Sequence, residues 1–216
     1  MIFYRIEMNT DLNEVGVFPQ RGEMKLGLHK DDLKHLFNQG NLSMLSGDVY
    51  IPSFKLKSKA KLTDVISFPI NNNWIVSEKL KFLFEKESIP DIQFLPIEIF
   101  KNDELKNYFL LRSLKSSIEQ IDFSKIEVSI MKTTWDEEQK IKVSDIQGFL
   151  ALVEETKYPM SIKIKRPYII QECNLKFFSI KYVYGLLPYF ISQDFKNVLI
   201  HNGITGIRYM QLDEIL

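Results

Sequence analysis

Ser77 and Lys81 stand four residues apart, the spacing that sets two side chains on one side of a helix and that a serine–lysine nucleophile pair would use. A second reading competes with it. Ser77 precedes a run in which Leu80, Leu83 and Phe84 share one helical face. A serine in that place is an N-cap: its hydroxyl oxygen is occupied by an otherwise unpaired backbone N–H, and Lys81 becomes an exposed position opposite the apolar face. The cap outweighs the nucleophile.

The remaining chemistry-bearing residues are sparse. Ser58-Lys59-Ala60-Lys61 matches S-x-x-K, but the S-D-N and K-T-G segments that go with it are missing. His29 and His35 are six residues apart, which a helix would turn by about 240°. Asp32 is three from each, yet no further ligands complete a metal shell. Cys173, in Glu172-Cys173-Asn174, is the one cysteine; it reads as a buried, inert thiol and excludes an intramolecular disulfide. No G-x-G-x-x-G, Walker or G-x-S-x-G motif occurs. The expectation is a protein without catalytic, cofactor or metal site; a small enzyme whose site is built from distant residues is the alternative.

Composition narrows the class. Lys+Arg and Asp+Glu are both 28, a formal net charge of zero, which argues against a dedicated nucleic-acid binder. Sixteen Phe and nine Tyr promise a well-filled core. No apolar stretch is long enough to span a bilayer and no secretory leader is visible, so the expected address is the cytoplasm.

The elements that must position these residues read as α+β: mixed or antiparallel sheets packed by about four short helices. Phe3–Met8 is an opening strand; Gly16 and Gly22 mark loops; a short helix starts at Asp31 and Asp32, carries the stripe Leu33, Leu36 and Phe37, and stops at Gly40. Lys55, Lys57, Lys59 and Lys61 alternate along a strand as a solvated edge. Ile92–Leu95 and Ile97–Phe100 are strands broken or bulged at Pro96, and Lys125–Lys132 is another strand. Ser144 caps a helix in a capping box with Gln147. Tyr168–Gln171 and Phe177–Tyr182 read as strands, and Ser192 caps a last helix that ends at Gly203. With no low-complexity linker, residues 1–216 form a single domain; two lobes sharing a core, about 1–132 and 133–216, is the other division.

One unit recurs in outline. Val76–Pro96 laid over Ile191–Gln211 matches Ser77 with Ser192, Lys81 with Lys196, Ile89 with Ile204 and Ile92 with Ile207. Each copy reaches its turn isoleucine twelve positions after the serine. The turns themselves differ, Pro90-Asp91 against Thr205-Gly206.

Several of these segments resemble a known family. Lys61-Leu62-Thr63-Asp64-Val65-Ile66-Ser67-Phe68 followed by Trp74-Ile75-Val76-Ser77-Glu78-Lys79-Leu80 is similar to a "t-D-hls … hhhSekl" block. Ile121-Asp122-Phe123-Ser124-Lys125 is similar to an "hDf-kS" element, and Phe190–Lys196 with Gly203-Ile204-Thr205-Gly206-Ile207 to a closing "hhS-xhk … GhtGh" pattern. Such patterns occur in immunity proteins of bacterial polymorphic-toxin systems, families eleven and forty-three above all, and cover about half the chain. The resemblance implies stoichiometric capture of a cognate toxin protein without turnover, while the charge balance, the short apolar stretches and the missing motifs lead us to expect no nucleic acid, membrane or cofactor. The contact surface expected on that reading is the loop Thr133–Gln139, with Trp135 as anchor and Asp136, Glu137 and Glu138 facing a basic partner. A core-packed Trp135 beside solvated acids is the competing account of that loop, and a weak homo-oligomer or self-associating scaffold the competing account of the protein.

Overall fold

The computed structural model describes residues 1–25, 36, 44–45, 49–70, 73–133, 136–183 and 189–212. The expected short helix that starts at Asp31 and stops at Gly40, and both His29 and His35, lie outside them apart from the buried Leu36. In chain order the elements begin with β1 (Phe3–Met8), α1 (Leu12–Val15), β2 (Arg21–Lys25), β3 (Ser53–Leu56), β4 (Val65–Ile70) and β5 (Asn73–Ser77). Next come α2 (Glu78–Lys86), β6 (Ile92–Lys101), β7 (Glu104–Ser113), two 3₁₀ turns, β8 (Val128–Met131) and β9 (Glu137–Ile141). The chain continues through α3 (Ile146–Glu155), β10 (Ser161–Ile164), β11 (Phe177–Ser179), β12 (Tyr189–Ser192), α4 (Gln193–His201) and β13 (Ile207–Gln211). The fold class is α+β, as the sequence pattern predicts.

Two compact units share the chain, neither continuous in sequence: Met1–Arg5, Ser116–Gln193 and Met210–Leu216 form one, Ile6–Lys115 and Asp194–Tyr209 the other. A single cut between 132 and 133 does not describe this division. The second unit holds the six-stranded sheet β2-β3-β6-β7-β5-β4, antiparallel throughout except where β3 meets β6. Its core is Phe54, Leu56, Ile66, Ile75, Ile97, Ile99 and Leu110. The first unit holds the three-stranded sheet β10-β8-β9, whose core gathers Phe123, Val128, Phe149, Ile162 and Ile164. A further, four-stranded sheet has the order β11-β12-β1-β13.

Several local expectations are corrected. β6 runs unbroken through Pro96, which pairs in register with Phe109. Proline is tolerated because β3 engages β6 only at Ile99 and Phe100, so no ladder bond from residue 96 is missed on that side. β3 ends at Leu56, and Lys57 to Lys59 leave it, so the four lysines do not line one strand. Gly22 lies inside β2, where the register with β3 shifts, rather than in a loop. Lys125 ends a 3₁₀ turn and only Val128–Met131 is strand. Residues 168–171 form an isolated bridge at Ile169, and β11 stops at Ser179. The cap of α3 is Asp145 and not Ser144: the Asp145 carboxylate accepts from Gly148 N at 2.8 Å while Ser144 Oγ donates to Asp145. A carboxylate is the stronger acceptor at a helix N-terminus, so the capping box with Gln147 is not formed.

The recurrence is deeper than its sequence. The order β6-β7-β5-β4 in the large sheet returns as β13-β1-β12-β11, with β1, from the opposite end of the chain, in the place of β7. Val65↔Val76 and Ile66↔Ile75 correspond to Phe177↔Ile191 and Phe178↔Phe190. Ser77 N donates to Asp64 O at 2.8 Å, and Ser192 N to Lys176 O at 3.0 Å. After α2, Glu87, Ser88 and Ile89 N–H bond to Leu83, Glu85 and Phe84; after α4, Asn202, Gly203 and Ile204 bond to Val198, Ile200 and Leu199. Even the turns agree in backbone, for φ is 52° at Ser88 and 60° at Gly203, then 56° at Asp91 and 85° at Gly206. The different residue types therefore hide one conformation.

Candidate functional site

The residues that carry the family resemblance in the second unit meet at one place. Asp64 lies just before β4, and Ser77 ends β5 and caps α2. Thr205 sits in the turn between α4 and β13. The Asp64 carboxylate accepts from Ser77 Oγ (2.6 Å), Thr205 N (2.9 Å) and Thr205 Oγ1 (3.0 Å). The backbone answers in kind, with Asp64 N donating to Thr205 Oγ1 (3.0 Å) and Val65 N to Thr205 O (3.0 Å). Lys79 Nζ donates to Gly203 O at 3.1 Å, and Gly206 N donates to the Glu14 carboxylate, which also accepts from Asn9 Nδ2.

Behind this clasp is a buried polar layer. Gln20, fully buried, donates to Lys61 O (2.5 Å) and accepts from Ser67 N (2.6 Å). Ser67 Oγ donates to Asn9 O (2.8 Å), and Tyr108 OH to Thr63 O (2.9 Å). Burial, with the Asp64 charge as a smaller contribution, pushes the Tyr108 phenol up to about 12. Tyr209 is pushed up to about 12 by burial and then by Glu14. Buried polar groups with partners on this scale fix one arrangement of the backbone around them.

The geometry decides the chemistry that the spacing left open. Ser77 Oγ donates to Asp64 and accepts from Leu80 N at 3.2 Å, so its oxygen is held as a cap. Lys81 Nζ bonds Glu85 at 2.6 Å and faces the rings of Phe94 and Phe109. The two polar ends have separate partners, and no serine–lysine dyad forms. Ser192 ends β12 directly before α4, the place of Ser77 in the first copy.

In the first unit, Asp122 caps a 3₁₀ turn, accepting from Ser124 N (3.2 Å) and Oγ (2.5 Å) and pairing with Lys125 Nζ (2.9 Å). The Ser124 hydroxyl, then Lys125, holds its carboxyl below the usual range. Lys125 lies 4.2 Å over the Tyr168 ring. Cys173 is 2% exposed and burial pushes its thiol up, away from thiolate chemistry. Among the described residues no group of His, Cys, Asp and Glu is placed to hold a metal ion, and no helix is long and apolar enough to cross a membrane.

The acidic segment differs from its expected form. Trp135 lies outside the described residues, and Asp136 is exposed, its N–H donating to Thr133 Oγ1 at 3.2 Å. Glu137 and Glu138 are not loop: β9 starts at Glu137 and pairs with β8. Alternation failed as a signal here because Asp136-Glu137-Glu138 carries no apolar residue. The Asp64–Thr205 pairing also escaped the sequence, its partners being 141 positions apart.

No family model matches this chain, and no curated protein matches it.

Proposed function

We propose that this protein is a non-catalytic immunity protein that binds and neutralises a cognate bacterial toxin in the cytoplasm. What carries the reading is the resemblance of residues 61–80 and 190–207 to the immunity-protein pattern, together with the meeting of Asp64, Ser77 and Thr205 in one clasp. Motifs of that kind mark a scaffold, and a scaffold presenting loops is what stoichiometric capture needs. The contact segment on this reading is Trp135, Asp136, Glu137 and Glu138, whose acidic residues would meet a basic toxin surface.

The test is co-expression with the product of the neighbouring upstream gene. Growth restored by this chain, and lost again in Trp135→Ala or Asp136→Lys/Glu138→Lys, is the expected outcome. A neighbour that is harmless alone, or that stays toxic beside this protein, removes the reading.

A further inference from the structure

Asn202-Gly203 is the one Asn-Gly pair in the sequence. An asparagine in that setting can react with its own backbone, because the glycine that follows carries no side chain to obstruct the approach of its nitrogen. Both residues are exposed, directly after α4. A Cβ built on Gly203 would meet nothing nearer than Lys79 Nζ at 3.9 Å, so the space around it is open. In the first copy of the strand–helix–strand unit the same two places hold Glu87 and Ser88, which have no side-chain amide to lose.

We propose that Asn202 is a self-modification site, converted through a cyclic imide to aspartate and isoaspartate, and that opening of the last turn of α4 sets its rate. Gly203 N attacks Asn202 Cγ. The new N–C bond forms as the Cγ–Nδ2 bond breaks, and the Gly203 proton leaves with the departing ammonia. Water then opens the imide at one of its two carbonyls, giving either aspartate or isoaspartate, the second with one more carbon in the main chain. Water is the only other reactant.

The folded turn holds the reacting groups apart. Asn202 Nδ2 donates to Val198 O at 2.8 Å, and Gly203 N donates to Ile200 O at 2.9 Å. Both bonds must break before the ring closes, and helix ends are where such opening takes least free energy. Two ties oppose it: Gly203 O accepts from Lys79 Nζ, and Thr205, two residues on, is bound to Asp64. The products weaken what delays them. Aspartate at 202 loses the donor to Val198 O and sets a negative charge against the carbonyl end of α4, which repels it. Isoaspartate lengthens the turn that carries Thr205 to Asp64. The clasp therefore governs the reaction and is loosened by it. The site does not rest on the toxin reading, and its test contains no toxin.

The full chain is incubated in mildly alkaline buffer, folded and in urea, and residue 202 is followed by peptide mapping and mass spectrometry. The expected result is exchange of the side-chain NH₂ for OH in both samples, slower in the folded one, with isoaspartate in excess over aspartate. That excess marks the imide, since direct hydrolysis of the amide gives aspartate alone. Thr205→Val, which removes the hydroxyl bound to Asp64, should speed the folded-state reaction roughly fivefold, the factor that loss of one hydrogen bond gives. Gly203→Ala should slow it roughly tenfold, because the added Cβ crowds the attacking nitrogen. Lower stability alone would speed the reaction, so that slowing separates chemistry from loosening. Circular dichroism checks that each variant folds. The converted chain, separated by its added charge, should unfold at a lower urea midpoint than the parent. An Asn202 that persists in the folded chain while the unfolded chain converts, aspartate without isoaspartate, a rate indifferent to Thr205→Val, a Gly203→Ala that is not slower, or an unchanged midpoint overturns the proposal.

Discussion

The two copies of the strand–helix–strand unit reach one backbone by different residues. After α2 the left-handed positions are Ser88 and Asp91; after α4 they are Gly203 and Gly206. Glycine adopts positive φ without penalty, whereas serine and aspartate are held there by their surroundings. The two glycines differ in turn. A Cβ on Gly203 would meet nothing nearer than Lys79 Nζ at 3.9 Å, while one on Gly206 would lie 2.2 Å from Val65 O. Gly203 answers to conformation alone, and Gly206 to conformation and to the close approach of β4. The second copy is thus tied to a neighbour at its turn.

The largest break in this comparison is Gly206→Ala. Left-handed strain and the overlap with the Val65 carbonyl together should cost about 3 kcal/mol or more. Gly203→Ala should cost only about 1 kcal/mol. Urea unfolding of both variants, compared by midpoint at unchanged slope, measures the difference. Equal losses would show that the packing against β4 contributes nothing.

Asp64→Ala comes next. It removes the acceptor of Ser77 Oγ and of both Thr205 groups, with an expected loss of about 2 kcal/mol. Thr205→Val alone should cost about 1 kcal/mol. Because they act on one clasp, the double variant should lose less than the sum of the single losses. Additive losses would mean that the aspartate and the threonine act separately. If Ser77 were instead a nucleophile, Ser77→Ala would cost activity and little stability; as a cap it should cost about 1 kcal/mol.

High pH probes the buried layer behind the clasp. Tyr108 and Tyr209 ionise near 12 in the folded chain and near 10 in the unfolded one. The unfolded state therefore releases their protons first. The stability tied to the neutral phenols is complete below about pH 10 and is lost as pH rises from there toward 12. Absorbance at 295 nm should show a late phenolic component to which Tyr108 and Tyr209 contribute, and Tyr108→Phe should reduce it. A native-state titration with no late component, unchanged by Tyr108→Phe, contradicts the burial.

How much of this was legible in advance follows from the range of the forces involved. Local signals held: Phe3–Met8 is β1 to the residue, Ser77 caps α2, and the stripe Phe195 and Leu199 is buried on α4. Signals with two local answers failed, as where Asp145 displaced Ser144 as the cap. What depends on contacts distant in sequence was invisible. Nothing in residues 3–8 announces that they occupy, between β12 and β13, the place β7 holds between β5 and β6. Nor does Thr63-Asp64 name Thr205 as its partner. The turn comparison misled because it weighed residue types, Pro90-Asp91 against Thr205-Gly206, when the shared property was φ.

The finest test runs the comparison backwards. If Ser88 holds the place of Gly203, with φ of 52° against 60°, then Ser88→Gly relieves left-handed strain at a helix end where glycine is the preferred residue. The gain is opposed by the greater freedom of glycine in the unfolded chain, which leaves a net stabilisation of about 0.5 kcal/mol. Ser88 is exposed, its N–H bonds Glu85 O at 3.0 Å, and glycine keeps that bond. The sign is opposite to that of Gly203→Ala, and that opposition is the content of the prediction. A Ser88→Gly variant less stable than the parent by more than a few tenths of a kcal/mol would mean that the serine side chain, and not the fold shared with the second copy, holds the first turn in place.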